Sequence, residues 1–191
     1  MTKIAIFASG SGTNAENIMR FFQKTDVQIT KVYCNKEGAG VIERAKRMKV
    51  PCKIFTKKEF NQTQNILEDL KNDNVEYIIL AGFLLFVPGY LTDAYKDKII
   101  NIHPSLLPKY GGKGMHGEKV HQAVVENNET ESGITIHLVD EFFDNGKIIF
   151  QARCAVNSDD SADVVAQRVH ELEYEHFPAV IMAYIEQQKD I

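Results

Sequence analysis

Short apolar runs alternate with amphipathic stretches along the chain. Lys3–Ala8, Ile29–Cys34, Cys52–Phe55 and Glu76–Ala81 are the runs of the first half. The last of these, E-Y-I-I-L-A, is nearly continuous, as expected of a strand covered on both faces of a parallel sheet. Between the runs, apolar residues recur at helical spacing. Ala15, Ile18, Met19 and Phe22 share one face, and Phe60, Ile66, Leu67 and Leu70 share another. The pattern predicts helices after Asn14, over Gly38–Lys49 and over Lys58–Asn72. Such alternation of strand and helix is that of a doubly wound, mostly parallel α/β sheet of Rossmann-like type.

The second half opens with Lys98-Ile99-Ile100 running into Asn101, Ile102 and His103, after which Pro104 and Pro108 stop any regular element. This predicts a strand whose end presents Asn101 and His103. Residues two apart on a strand point to one face, so the two polar side chains project together. Carboxyl ends of strands in α/β sheets form the crevice where ligands bind. A solvated His at a capped strand end is the plainer alternative for His103 alone.

A helix is predicted over Glu118–Asn127. Gly133–Val139 then alternates, with Ile134, Ile136 and Leu138 on one side and Thr135, His137 and Val139 on the other. Lys147–Val156 is its partner strand, reached through Asp140–Gly146 with a D-N-G tip. Ser161 begins a last helix, which Pro178 is expected to kink or interrupt. The apolar segment Gly82–Pro88 is expected mostly to open a helix and face the core.

Length and composition narrow the class. A chain of 191 residues without repeats or linkers is expected to be one domain, 1–191. Its net charge of -4 argues against a nucleic-acid surface, which should be basic. No apolar stretch approaches the ~18 residues of a membrane span, and the start is too short and strand-like for a signal peptide. Cys34, Cys52 and Cys154 are scattered and odd in number, with no C-x-x-C. That pattern argues for a reducing cytoplasm, against disulfides and zinc, and for three small core side chains.

Ser9-Gly10-Ser11-Gly12-Thr13-Asn14 joins the first strand to the first helix. Glycines there let the backbone approach a ligand, and free N–H groups at the helix start point at negative charge. Gly10, Gly12 and Ala15 also fit G-x-G-x-x-A, a dinucleotide fingerprint. That fingerprint wants an acidic residue about 20 positions on, and Glu37 is a late candidate. The loop lacks the Gly-Lys-Ser/Thr ending of a P-loop. It reads as a phosphate cradle.

The stretch Asn101–Tyr110, N-I-H-P-S-L-L-P-K-Y, resembles the core signature of the folate-dependent formyltransferases, and the likeness covers nearly the whole chain. It implies transfer of a formyl group from 10-formyltetrahydrofolate, as cosubstrate, to the amine of 5'-phosphoribosylglycinamide in purine biosynthesis, with no metal. It implies Asn101, His103 and Asp144 as catalytic residues, and Ser11, Gly12, Thr13 and Asn14 as the ribonucleotide's phosphate site. Glu173, within an E-x-x-x-F/Y-P element ending at Phe177-Pro178, is implied to hold the ribose hydroxyls; a solvated helix glutamate is the alternative. Folate is implied to lie against Leu84, Leu85, Phe86 and Val87, against Asn101, and against Asp140 and Glu141, chiefly on backbone. Family members often carry a basic residue where Leu85 stands, so only its backbone role carries over.

Gly111–Gly117 departs from the family's common form, which leaves His116 and His121 as expected surface histidines. Relatives that formylate methionyl-tRNA carry a further basic domain, and formyltetrahydrofolate hydrolases an N-terminal one. The chain starts at its first strand and ends about thirteen residues after Pro178, so neither extension is expected. Minimal sugar-amine formyltransferases remain the nearer rival, and a non-catalytic nucleotide-binding module the rival from another class.

The chemistry suits these residues. A neutral amine attacks the formyl carbon directly, so no nucleophilic side chain is required. Asn101 can donate an amide N–H to the oxygen on which charge develops, and a protonated His103 can donate a charge-assisted bond. His103 can then serve as general acid toward the leaving nitrogen. A carboxylate beside it favours the charged ring and can order a proton-relaying water.

Overall fold

A computed structural model describes residues 1–189. Seven strands follow the order β3-β2-β1-β4-β5-β6-β7. The pairs of β1 (Thr2–Ala8) with β2 (Val27–Cys34) and β4 (Tyr77–Leu80) are parallel, as are β2 with β3 (Cys52–Ile54) and β4 with β5 (Ile99–His103). β6 (Glu131–Leu138) and β7 (Ile148–Ala155) pair antiparallel. The expected mostly parallel α/β sheet is thus present. No helix is long and apolar enough to cross a membrane among the described residues.

The described residues form two compact units, Met1–Asn101 and Ile102 onward. In the first, β1 is central and buried on both faces, with Ile4, Ala5, Ile6 and Ala8 fully covered. Helices α1 (Thr13–Phe22) and α2 (Gly40–Arg47) follow β1 and β2, burying Ile18, Met19, Val41 and Ala45. An aromatic cluster fills the region between β1 and the next helices. Phe7 stacks on Tyr33 with centroids 4.6 Å apart, Phe55 and Phe83 meet it edge-on, and Phe60 lies tilted against it.

Two expectations for this unit need correction. The single helix expected over Lys58–Asn72 is two helices, α3 (Lys57–Gln62) and α4 (Asn65–Asn72). Thr63 between them is extended, and its hydroxyl donates to the Glu59 carbonyl while accepting from the Asn65 amide. A Thr side chain that bonds the backbone in this way competes with helical pairing. The segment Gly82–Pro88 does not open a helix; α5 starts at Gly89 and runs to Ala94. Gly82 is left-handed, and the Leu84 amide is drawn to the Ser9 hydroxyl at 2.9 Å. Leu84 and Phe86 are consequently exposed, at 44% and 42%.

In the second unit, α6 (Glu118–Glu126) and α7 (Ala162–Lys189) accompany the β6–β7 ladder. α7 packs on both strands and on α6. Close strand and turn approach explains two glycines: a Cβ on Gly133 would stand 2.0 Å from the Ala152 carbonyl oxygen, and one on Gly146 1.9 Å from that of Leu138. Pro178 does not interrupt α7. Its ring is buried beside Phe177, and packing of the apolar face stabilises the helix across the missing N–H.

Candidate active site

The first unit carries the Ser9–Asn14 loop expected to cradle an anion. β1 delivers the chain into Ser9–Gly12, and α1 begins at Thr13. Gly12 adopts φ 77°, a conformation costly for residues with a Cβ, and accepts the Glu16 amide at 2.8 Å as the first helical bond. Ser9 ties the neighbouring loops together. Its amide donates to the Gly82 carbonyl at 3.0 Å, and its hydroxyl donates to Asn35 Oδ1 at 2.5 Å. Ser11 is exposed, Gly12 buried, and Thr13 and Asn14 partly exposed. β1 and β4 are the neighbours at which the strand order reverses, where α/β sheets bind ligands. The acidic ribose-binding position of a dinucleotide site is not supplied by β2, which ends at Cys34-Asn35.

Just under the cradle, Glu16 is 7% exposed and accepts from three arginines. Arg20 Nη2 donates at 2.7 Å, Arg47 Nη2 at 3.1 Å, and Arg44 Nη1 closes the set. The bonds from Arg20 and then Arg44 hold the Glu16 carboxyl far below its ordinary range, at about 2. Sequence reading missed this group, since it joins α1 to α2 through side chains distant in sequence.

The second cluster lies at the end of β5. Asn101 and His103 sit two apart on that strand; Asn101 is half-buried and His103 4% exposed. A carbonyl can only accept, so His103 Nε2 is the protonated atom that donates to the Tyr110 carbonyl at 2.8 Å. Nδ1 faces Asp144 Oδ2 at 3.5 Å. That same oxygen accepts the Gly112 amide at 2.9 Å. Asp144, with φ 50°, therefore joins the D-N-G turn to the glycine loop and to the imidazole. Gly111 leaves room for this, because a Cβ there would press on Leu107 at 2.5 Å.

The segment between His103 and Tyr110 is anchored on β6 and β7. Thr135, fully buried, accepts the Leu107 amide at 3.0 Å and donates to the Ser105 carbonyl at 2.7 Å. Gln151 adds donors to the Leu107 carbonyl and to the Thr135 hydroxyl. Tyr110 and Lys109 both donate to Glu129, at 2.9 and 3.0 Å. Their bonds lower the Glu129 pKa. The ring that meets Asp144 is thus held from both sides.

His137 is a further member that sequence reading did not assign. It is 1% exposed, donates from Nδ1 to the Leu138 carbonyl at 2.8 Å, and turns Nε2 toward Asp144 Oδ1 at 3.7 Å. Burial depresses its pKa, outweighing the Leu138 carbonyl and the Asp144 charge. The strand alternation that puts Thr135 and His137 on one side was the available signal.

Of the remaining expected residues, Glu173 is 6% exposed, which removes the solvated-helix alternative. Leu85 is half-buried and Val87 buried; Asp140 is half-buried and Glu141 exposed. His116 is exposed as expected, but His121 is 2% exposed and corrects that expectation. Its ring meets His170 edge-on at 6.2 Å, and burial pushes its pKa down to about 4. Cys34 is buried, whereas Cys52 and Cys154 are only half-buried, so the expectation of three core thiols holds for one. No group of three or more His, Cys, Asp or Glu side chains is placed to hold a metal ion among the described residues.

The family model described as "Formyl transferase" matches residues 2–181. The chain belongs to the formyl transferase family. Phosphoribosylglycinamide formyltransferase of Bacillus subtilis (strain 168) is 38% identical over 187 residues, covering 95% of this chain and 93% of that protein. The Haemophilus influenzae protein of the same name is 35% identical, covering 97% and 88%. Among solved structures, phosphoribosylglycinamide formyltransferase from Streptococcus pneumoniae TIGR4 superposes with a TM-score of 0.86 at 34% identity, covering 97% of this chain and 99% of that one. The matched span of this formyl transferase includes both the Ser11–Asn14 cradle and the His103–Asp144 pair.

Proposed function

We propose that this formyl transferase moves the formyl group of 10-formyltetrahydrofolate to the amine of 5'-phosphoribosylglycinamide, giving the formylated ribonucleotide and tetrahydrofolate. Residues 1–191 act as one formyltransferase domain of purine biosynthesis. The observation that carries the mechanism is the Asp144 carboxylate facing His103 Nδ1 at 3.5 Å, two residues along β5 from Asn101.

In this reading the amine nitrogen forms a bond to the formyl carbon, and the bond from that carbon to the folate nitrogen breaks. Asn101 donates an N–H to the formyl oxygen as negative charge collects there. His103 uses Nδ1 for proton handling, because Nε2–H is held on the Tyr110 carbonyl. One proton leaves the attacking nitrogen and one reaches the departing folate nitrogen, with Asp144 ordering the donor edge of His103. At 3.5 Å the Asp144 carboxylate is within ion-pair reach of Nδ1.

Ser11, Gly12, Thr13 and Asn14 hold the ribonucleotide's phosphate at the start of α1, and Glu173 holds its ribose. For folate, the exposed apolar side chains of Leu84 and Phe86 and the backbone of Leu85 and Val87 offer a surface for a flat heterocycle, and Asp140 and Glu141 offer polar backbone. We place the reaction in the cytoplasm, which the three free thiols support. Absorbance of the folate, followed with purified protein and both substrates, tests the reading. Formylation of a nucleotide-sugar amine but not of the ribonucleotide would contradict it, and folate release without an acceptor would mark a hydrolase.

A further inference from the structure

α2 is locked into the anion cradle. A Cβ on Gly12 would stand 2.5 Å from Val41 Cβ, and a Cβ on Gly40 would stand 2.9 Å from the Ser11 carbonyl oxygen. Two hydrogen bonds cross at this junction. The Val41 amide donates to the Gly10 carbonyl at 3.2 Å, and Arg44 Nε donates to the Ser11 carbonyl at 2.8 Å.

These bonds fix more than two oxygens. In a planar trans peptide, a carbonyl and the following N–H point in opposite directions. With the Gly10 and Ser11 carbonyls turned toward α2, the N–H groups of Ser11 and Gly12 must point away from it. That is the orientation an anion at the start of α1 requires. The Gly10 carbonyl accepts from the Val41 backbone. The Ser11 carbonyl, whose peptide carries the Gly12 N–H, accepts from the Arg44 side chain.

We propose that Arg44 is a positioning residue for the phosphate cradle, orienting the Ser11–Gly12 peptide so that its N–H meets the ligand's phosphate. The proposal rests on the reading of Ser11–Asn14 as the phosphate site. Glu16 serves as the anchor of the anchor: its carboxylate takes Arg44 Nη1 and so aims Nε at the Ser11 oxygen. A forked guanidinium can do both at once, whereas a lysine ammonium is a single point charge. Arg20 and Arg47 bond Glu16 from exposed positions and are charge companions in this arrangement.

The test follows amide signals of the ¹⁵N-labelled whole chain during titration with inorganic phosphate. It compares the parent with Arg44→Met and with Arg20→Met, which removes a guanidinium from Glu16 but touches no loop carbonyl. The expected result is saturable movement of the Ser11 and Gly12 signals in the parent. Phosphate should bind about tenfold more weakly in Arg44→Met, equivalent to ~1.4 kcal/mol, and near-normally in Arg20→Met. In the formyl-transfer assay, Arg44→Met should raise KM for the ribonucleotide by a similar factor while kcat and KM for folate hold. Arg44→Lys, which keeps the charge if the methionine variant fails to fold, should shift the same way. Equal phosphate affinity in the parent and both Arg44 variants would overturn the proposal and leave the phosphate site standing. Equal weakening by Arg20→Met would also overturn it, in favour of bulk positive charge. A parent whose Ser11 and Gly12 signals ignore phosphate would refute the phosphate site itself, and the proposal with it.

Discussion

The Asp144 carboxylate faces Nδ1 of His103 at 3.5 Å while the same oxygen accepts the Gly112 amide. A D-N-G turn needs no catalytic explanation, since Asp and Asn suit turns and Gly supplies positive φ. Reach to a buried histidine at a strand end does. Asp144→Asn keeps an oxygen for the Gly112 amide but removes the charge opposite Nδ1. General acid–base groups contribute roughly 10²–10⁴ in rate, so kcat should fall by about that factor with both KM values little changed. Near-parental turnover would return Asp144 to the status of a turn residue.

Gly12→Val tests the cradle by crowding it. Its side chain meets Val41 and must adopt a left-handed backbone, so the loop is forced away from α2. Ribonucleotide binding should weaken far more than folate binding, alongside some loss of stability. Equal weakening of both, read from the two KM values, would mean that Gly12 supports only the fold.

Thr135→Val keeps the side-chain shape but removes the hydroxyl that serves the Leu107 amide and the Ser105 carbonyl. Each buried group left without a partner costs about 1–3 kcal/mol. The urea midpoint should therefore fall without a change in slope, and turnover should fall as the loop beyond His103 loosens. An unchanged midpoint would show that water or rearrangement replaces the hydroxyl.

Stability should depend on pH through two buried groups. His121 is depressed from 6.5 to about 4 by burial, so between these values the unfolded chain binds the extra proton. Its contribution is complete above about pH 6.5 and is lost as pH falls toward about 4. Glu16, held at about 2 against an ordinary 4.5 by Arg20 and Arg44, contributes above about pH 4.5 and loses that contribution as pH falls toward about 2. Urea unfolding at a series of pH values should show both slopes. His121→Gln should flatten only the upper window and Glu16→Gln only the lower; variants with the parental profile would contradict the assignment.

Much of this arrangement was legible because it is periodic or local. The run from Tyr77 to Leu80 and the alternation from Gly133 reported strands directly, and the pair Asn101 and His103 followed from strand geometry. What stayed hidden depends on side chains that meet across the chain. Thr63 breaks a helical pattern through two hydroxyl bonds, and Ser9 captures the amide of Leu84 and so keeps Gly82–Pro88 out of a helix. Pro178 obeys packing rather than propensity. His121 looked like a surface residue because nothing near it in sequence announces that α7 brings His170 against it. The Glu16–Arg44 brace is of the same kind, a consequence of α1 and α2 lying side by side.

Transfer of the formyl group to a phosphoribosyl amine can be followed by isotope label. Protein is incubated with 10-formyltetrahydrofolate labelled with ¹³C in the formyl group and with 5'-phosphoribosylglycinamide, and the products are read by mass spectrometry. One labelled formyl group is expected on the ribonucleotide's glycinamide nitrogen for each tetrahydrofolate formed, with the rate lowered by roughly 10²–10⁴ in Asp144→Asn. Label appearing as free formate, or no transfer to the ribonucleotide by the folded parent protein, would contradict it.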